Sequence, residues 1–335
     1  MTDGQDRPRK DIEFAFAHLM RPKYGPEVRG RDRLAAERAA INDYGAVDAS
    51  KLLTGVNVVP VKAGTVPAEY IVPANCTSLA RIVYFHGGGW MLGGLQSHRP
   101  LAAVLAKLSG MPVLTVDYRL APEHIFPAGL EDCETALRWA AANGPFGPQP
   151  ASDIHLAGDS AGGNLAAAAC IRDITGKGVV PSSLVLLSPV LDAAPNETFV
   201  ARRDPLISNQ ALQGLISVYA KGHDVADPRI SPMAAPDDIL RQFPPTLIQV
   251  SNDEFVRHSA GRFADRLANA GSRAVLSTWP LMPHVWHMFL DRLPEAIQAL
   301  IEAAQFLRAN SYAEGAEKID VALAAKSESA TRRAP

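Results

Sequence analysis

The chain of 335 residues has only three cysteines, Cys76, Cys133 and Cys170, with no Cys-x-x-Cys spacing among them. So sparse and odd a set excludes a disulfide scaffold or a thiolate zinc framework and points to a reducing compartment. Long apolar runs are lacking as well. The longest, such as LAAAACI at 165–171, fall well short of a membrane span. No charge of one sign dominates: 33 Lys and Arg are balanced by 35 Asp and Glu, leaving −2, with no basic stripe. Nucleic acid and anionic membrane are therefore poor partners for this surface. The opening MTDGQDRPRKDIEFAF is charged where a secretory leader has its apolar core, so the expected location is cytoplasmic. No segment recurs at the period of roughly 20–50 residues that marks repeat proteins.

What the chain does have is core-forming material, 47% hydrophobic residues against 20% charged. From about residue 53 short β-branched runs alternate with alanine- and leucine-rich stretches. The strand candidates are VNVVPV, EYIV, RIVYF, PVLTVDY, DIHLAG, SLVLLS, TLIQVS and RAVLSTW. Helical spacing falls at 98–109, 129–142, 161–174, 257–270 and 294–308. Such alternation predicts an α/β fold with a mostly parallel, twisted, eight-stranded sheet flanked by helices. Two regions break the rhythm. Residues 12–45 carry Ile12, Phe14, Phe16, Leu19, Leu34, Ala39 and Ile41 at helical spacing, interrupted by Pro22 and Pro26. Over fifty residues also separate SLVLLS from TLIQVS, with one helical pattern at 208–220. That is too long for a simple crossover. The predicted organisation is N-terminal cap helices over 1–50, a catalytic domain over 51–310 with a cap insertion at about 193–226, and a flexible tail over 311–335.

Two glycine clusters carry the chemistry. Gly158-Asp159-Ser160-Ala161-Gly162 lies between a strand pattern and a helix pattern, as G-x-S-x-G does at a nucleophile elbow. RIVYFHGGGW at 81–90 ends another strand in three glycines. Acyl transfer needs backbone N–H groups close to a developing oxyanion, and Gly87, Gly88 and Ala161 are placed to supply them. His86 reads as a support of that loop. A phosphate cradle is excluded because no Gly-Lys-Ser/Thr follows. Chain order then calls for an acid and a histidine downstream. Asp253 follows the TLIQVS strand, with Glu254 adjoining it as the alternative acid. His284 follows the RAVLSTW strand, with His287 as the alternative base; His258 belongs to a surface helix. The pair His284-x-x-His287 has no carboxylate companion for a metal, so neither metal nor cofactor is expected.

HGGGW at 86–90, DYRLAPEHIFPA at 117–128, GDSAGGN at 158–164, DPRISPM at 227–233, NDE at 252–254 and MPHVWH at 282–287 together resemble one family. They are similar to the hormone-sensitive-lipase-like α/β-hydrolases, bacterial esterase family IV, over about residues 50–310. The resemblance implies a helical cap on an α/β-hydrolase fold, a Ser160–Asp253–His284 triad and an oxyanion hole at Gly87, Gly88 and Ala161. It also implies a small-molecule ester as substrate, with a lactone, acetylated metabolite or amide as alternatives. Gibberellin receptors of similar fold lack the histidine retained here. Asp117, Arg119 and Glu123 would hold charges together beneath the site. The pocket candidates are Trp90, Val190, Leu206, Leu215 and Tyr219, with Phe14, Phe16 and Ile216 as further cap residues. Val190 stands where many relatives place Trp, which implies a roomier pocket. Arg257-His258 replaces an acidic position, altering local support or a subunit contact, and with it a possible homodimer.

Overall fold

The computed structural model describes residues 9–21, 23, 25, 28–45, 47–176, 178–194 and 208–311. Eight strands make one sheet: β1 (Val56–Ala63), β2 (Val66–Pro73), β3 (Arg81–Phe85), β4 (Val113–Val116), β5 (Ile154–Asp159), β6 (Ser183–Leu187), β7 (Thr246–Ser251) and β8 (Ala274–Trp279). Their spatial order is β1-β2-β4-β3-β5-β6-β7-β8. β2 pairs antiparallel with β1 and with β4, and every pairing from β4 to β8 is parallel. This is the mostly parallel eight-stranded sheet the apolar runs predict.

Ten helices accompany it among the described residues: α1 (Lys10–Met20), α2 (Gly30–Ala40), α3 (Ala49–Leu52), α4 (Leu95–Ser109), α5 (Ala128–Ala142), α6 (Ser160–Gly176), α7 (Asn209–Tyr219), α8 (Asp237–Leu240), α9 (Arg257–Ala270) and α10 (Pro294–Ala309). The strands from β3 to β7 are buried at every position. Parallel strands read this way because helices cover both faces. One core packs α5, α6 and α9 on the sheet, and the second packs α4, α10 and α1 on the opposite face. Alanines 166–169 of α6 are fully buried, and their short methyls let the helix approach the sheet closely. No helix among the described residues is long and apolar enough to cross a membrane.

Parallel strands bring their C-terminal ends to a single edge, so the loops after β3, β5, β6, β7 and β8 converge there. Residues 12–45, where helical spacing stands out, contain α1, α2 and one turn of 3-10 helix at Ile41–Asp43. α1 buries Ile12, Ala15 and Leu19 in the second core, beside Phe289 and Leu293. Phe14 stays at the surface, stacked on His18 with the Arg292 guanidinium over its ring. α2 buries no side chain, and its attachment is polar. Arg38 donates to the Met91 and Ala121 carbonyls at 2.9 and 3.1 Å and pairs with Glu123 at 2.7 Å. Glu123 therefore does not join Arg119, which forks onto Asp132 at 2.7 and 2.8 Å. The expected charge cluster under the site is two separate clamps. Residues 195–207 of the predicted cap insertion and 312–335 of the predicted tail lie outside the described residues.

Candidate active site

β5 ends at Asp159 and α6 starts at Ser160, with no loop between them. Turning strand into helix so sharply forces Ser160 to φ +49°, a left-handed conformation that lifts its side chain off the sheet edge. Space around the turn is equally tight. A Cβ on Gly162 would overlap the Phe85 and His86 carbonyls of the neighbouring β3 end. The G-x-S-x-G spacing is thus a packing requirement of the turn.

His284 Nε2 lies 2.9 Å from Ser160 Oγ. On its other side, His284 Nδ1 faces Glu254 Oε2 at 3.4 Å. Glu254 is 1% exposed, and its second oxygen accepts from the Ser188 hydroxyl at 2.8 Å and the Ser251 amide at 3.3 Å. The carboxylate expected against the imidazole, Asp253, is engaged elsewhere: it accepts the Leu281 amide at 3.0 Å. Both acids lie in the turn past Ser251, where the Glu254 carboxylate faces the imidazole and Asp253 faces the Leu281 amide. Asp253 instead pins the start of the histidine loop.

The glycine run needs a second correction. The Gly87 N–H donates to Asp159 Oδ1 at 2.9 Å and is committed to that carboxylate. Asp159 also accepts from the Tyr84 hydroxyl at 2.8 Å and lies 3.3 Å from His98 Nε2. Burial pushes the Asp159 carboxyl up, but His98 and the Tyr84 hydroxyl more than offset this, leaving it below the ordinary range. Gly88 and Gly89 are the glycines that line the cavity over Ser160. Gly88 holds φ +119°, which a side chain would not tolerate. Ala161 stands in the first turn of α6, where amides lack partners within the helix. His86 stacks on Tyr118 at 4.2 Å, and its Nδ1 lies 2.8 Å from the Gly87 carbonyl, a loop support as expected.

Of the other histidines, His287 is fully buried with Nε2 3.0 Å from Gln249 Oε1, and burial pushes its pKa down to about 3. Its Nε2 is engaged by Gln249, whereas the Ser160 hydroxyl is met by His284. His258 is exposed on α9.

Above Ser160 and His284 lies a cavity of about 480 Å³. Trp90, Val190 and Leu215 line it as expected. Tyr219 does not; it stacks flat behind Trp90, at 4.5 Å and 8°, and so backs the wall. Leu206 lies outside the described residues. Leu19, Ile41 and Tyr44 from the N-terminal segment, Leu212 from α7, and Met288 add to the apolar lining, and Lys23, Arg33 and Glu37 bring charge to it. Periodicity marks these residues as apolar but does not say which of them face a cavity.

A family model described as alpha/beta hydrolase fold matches residues 82–288. The carboxylesterase NlhH of Mycobacterium tuberculosis is 33% identical over 294 residues, spanning 86% of this chain and 86% of that protein. An acetyl-hydrolase of Streptomyces hygroscopicus is 36% identical over 253 residues, spanning 74% and 81%. The crystal structure of an esterase from the bacterial hormone-sensitive lipase family superposes with a TM-score of 0.79 at 30% identity, covering 91% of this chain and 99% of that one. A hormone-sensitive lipase from a metagenome library gives 0.77 at 29% identity, covering 92% and 99%. This chain belongs to the α/β-hydrolase-fold family and, within it, to the hormone-sensitive-lipase-like esterases of bacterial family IV.

Proposed function

We propose that this protein is a serine carboxylesterase acting on short- to medium-chain acyl or aryl esters, with Ser160 as nucleophile, His284 as base and Glu254 as orienting carboxylate. The observation that carries the reading is the 2.9 Å contact between Ser160 Oγ and His284 Nε2, backed by buried Glu254, on the floor of an apolar cavity. The carboxylesterase and acetyl-hydrolase relatives support it.

His284 Nε2 takes the hydroxyl proton as Ser160 attacks the ester carbonyl carbon. Glu254 fixes the tautomer, keeping the Nδ1 proton toward itself, and stabilises the imidazolium. The carbonyl oxygen becomes an oxyanion held by the amides of Gly88, Gly89 and Ala161, with Gly87 and Asp159 fixing the loop behind them. His284 then protonates the departing alcohol, leaving an acyl group on Ser160. Water, deprotonated by the same imidazole, releases the carboxylic acid. Residues 51–310 supply the machinery, while the described N-terminal residues Leu19, Ile41 and Tyr44 and the helix Asn209–Tyr219 roof it as a cap. The unpaired cysteines support a cytoplasmic location.

A cavity of this size with a mainly apolar lining suits a small acyl chain better than a long one. Across p-nitrophenyl esters of rising chain length, kcat/KM should peak between acetate and octanoate and fall steeply by palmitate. A profile that climbs through palmitate, with activation by emulsified triglyceride, would overturn the substrate assignment.

A further inference from the structure

Tyr44 directly follows the 3-10 turn that closes the N-terminal helices, and its ring lines the cavity. It packs 6.0 Å from the Phe289 ring, and its hydroxyl donates to the main-chain oxygen of His284 at 2.5 Å. That bond links positions 240 apart in sequence. The loop it reaches is under backbone strain. Leu281 sits at φ +61° and Val285, β-branched and next to His284, at φ +50°. Such conformations persist only when the surroundings hold them from several sides. Asp253, Ser251 and Ser188 hold the amides of Leu281, Met282 and Val285 from the sheet edge. The main-chain oxygen of His284 is held from the N-terminal segment.

We propose that Tyr44 is a positioning residue for His284, its phenol fixing the histidine main chain so that the imidazole stays aimed between Ser160 and Glu254. This rests on the reading of Ser160 and His284 as nucleophile and base. The N-terminal segment then does more than roof the cavity, because it also completes the alignment of the base. Alignment matters most when His284 gives its proton away. An alkoxide is too basic to depart unprotonated, so an alkyl ester needs Nε2–H aimed at the leaving oxygen. p-Nitrophenolate departs without that proton. A loosened imidazole is therefore a larger handicap on the alkyl ester.

The test compares wild type with Tyr44→Phe, which keeps the ring and removes the hydroxyl. Ethyl butyrate and p-nitrophenyl butyrate share one acyl group; active sites are counted by titration with diethyl p-nitrophenyl phosphate. Per active site, Tyr44→Phe should lose about tenfold in kcat/KM on ethyl butyrate and about threefold or less on p-nitrophenyl butyrate, with KM unchanged. Equal losses on both esters, or none, would overturn the proposal. So would a rise in KM alone, which marks a substrate contact, or a lower Tm with unchanged rates per site, which marks a brace. If Tyr44→Phe is recovered unfolded, Tyr44→Met carries the same comparison. A wild-type protein that hydrolyses neither ester would sink the esterase reading itself, and this proposal with it, before any variant is made.

Discussion

Asp253 and Glu254 are neighbours of like charge, yet their surroundings divide the work between them. Glu254 is buried with two donors on one oxygen and the imidazole at the other, whereas Asp253 is half-buried and ties down the Leu281 amide. A triad carboxylate earns its effect by fixing the tautomer, which a neutral amide of the same shape cannot do. Glu254→Gln should therefore lower kcat on p-nitrophenyl butyrate on the order of 10³–10⁴-fold, and Asp253→Asn by only a few-fold. Steady-state rates of the two variants decide the matter, and the opposite ranking would return the role to Asp253. From the sequence, NDE places two acids within reach of the same loop, and strand periodicity does not extend past Ser251 to say which turns inward. The glycine run has the same limit. Three consecutive glycines announce a close backbone approach, but only the fold shows that Gly87 is taken up by Asp159 and that Gly89 reaches the cavity.

At the scale of elements, the strands and helices of the sheet are legible because their signals are local. A run such as RIVYF is apolar at four of five positions because both faces of β3 are covered, and LAAAACI is alanine-rich because α6 lies tight on the sheet. Ser160 and His284 are legible for a related reason: Ser160 directly follows a strand that points at the common edge, and His284 lies in the loop just past another. The N-terminal helices and α7 are different. Phe14 looks like part of an apolar stripe but is held at the surface by Arg292, while Ile216 and Tyr219 face the body and leave Leu212 and Leu215 to the cavity. Their partners are distant in sequence, Tyr44 and His284 by 240 positions, and no local period encodes such pairings. The polar clamp of Arg38 on Met91, Ala121 and Glu123 is illegible for the same reason.

At the scale of the whole molecule, three buried imidazoles tie stability to pH. Burial pushes the pKa of His86 and His287 down to about 3 and that of His155 to about 4. In the unfolded chain the same groups take up protons near pH 6.5, so between about pH 6.5 and 4 the unfolded state binds more protons than the native one. Their contribution is complete above about pH 6.5 and is lost progressively as pH falls below it. Tm should accordingly drop between about pH 7 and pH 5, before most carboxylates titrate; a flat Tm over that range would show that these histidines are not held neutral. The account as a whole stands on Ser160 being the nucleophile that His284 activates. Intact-protein mass spectrometry after reaction with diethyl p-nitrophenyl phosphate measures this most directly. The account predicts one diethylphosphoryl group per chain, mapped to the peptide containing Ser160, complete loss of esterase activity, and no adduct on Ser160→Ala. An unlabelled wild-type protein that still hydrolyses esters, or a label carried by another residue, would contradict it.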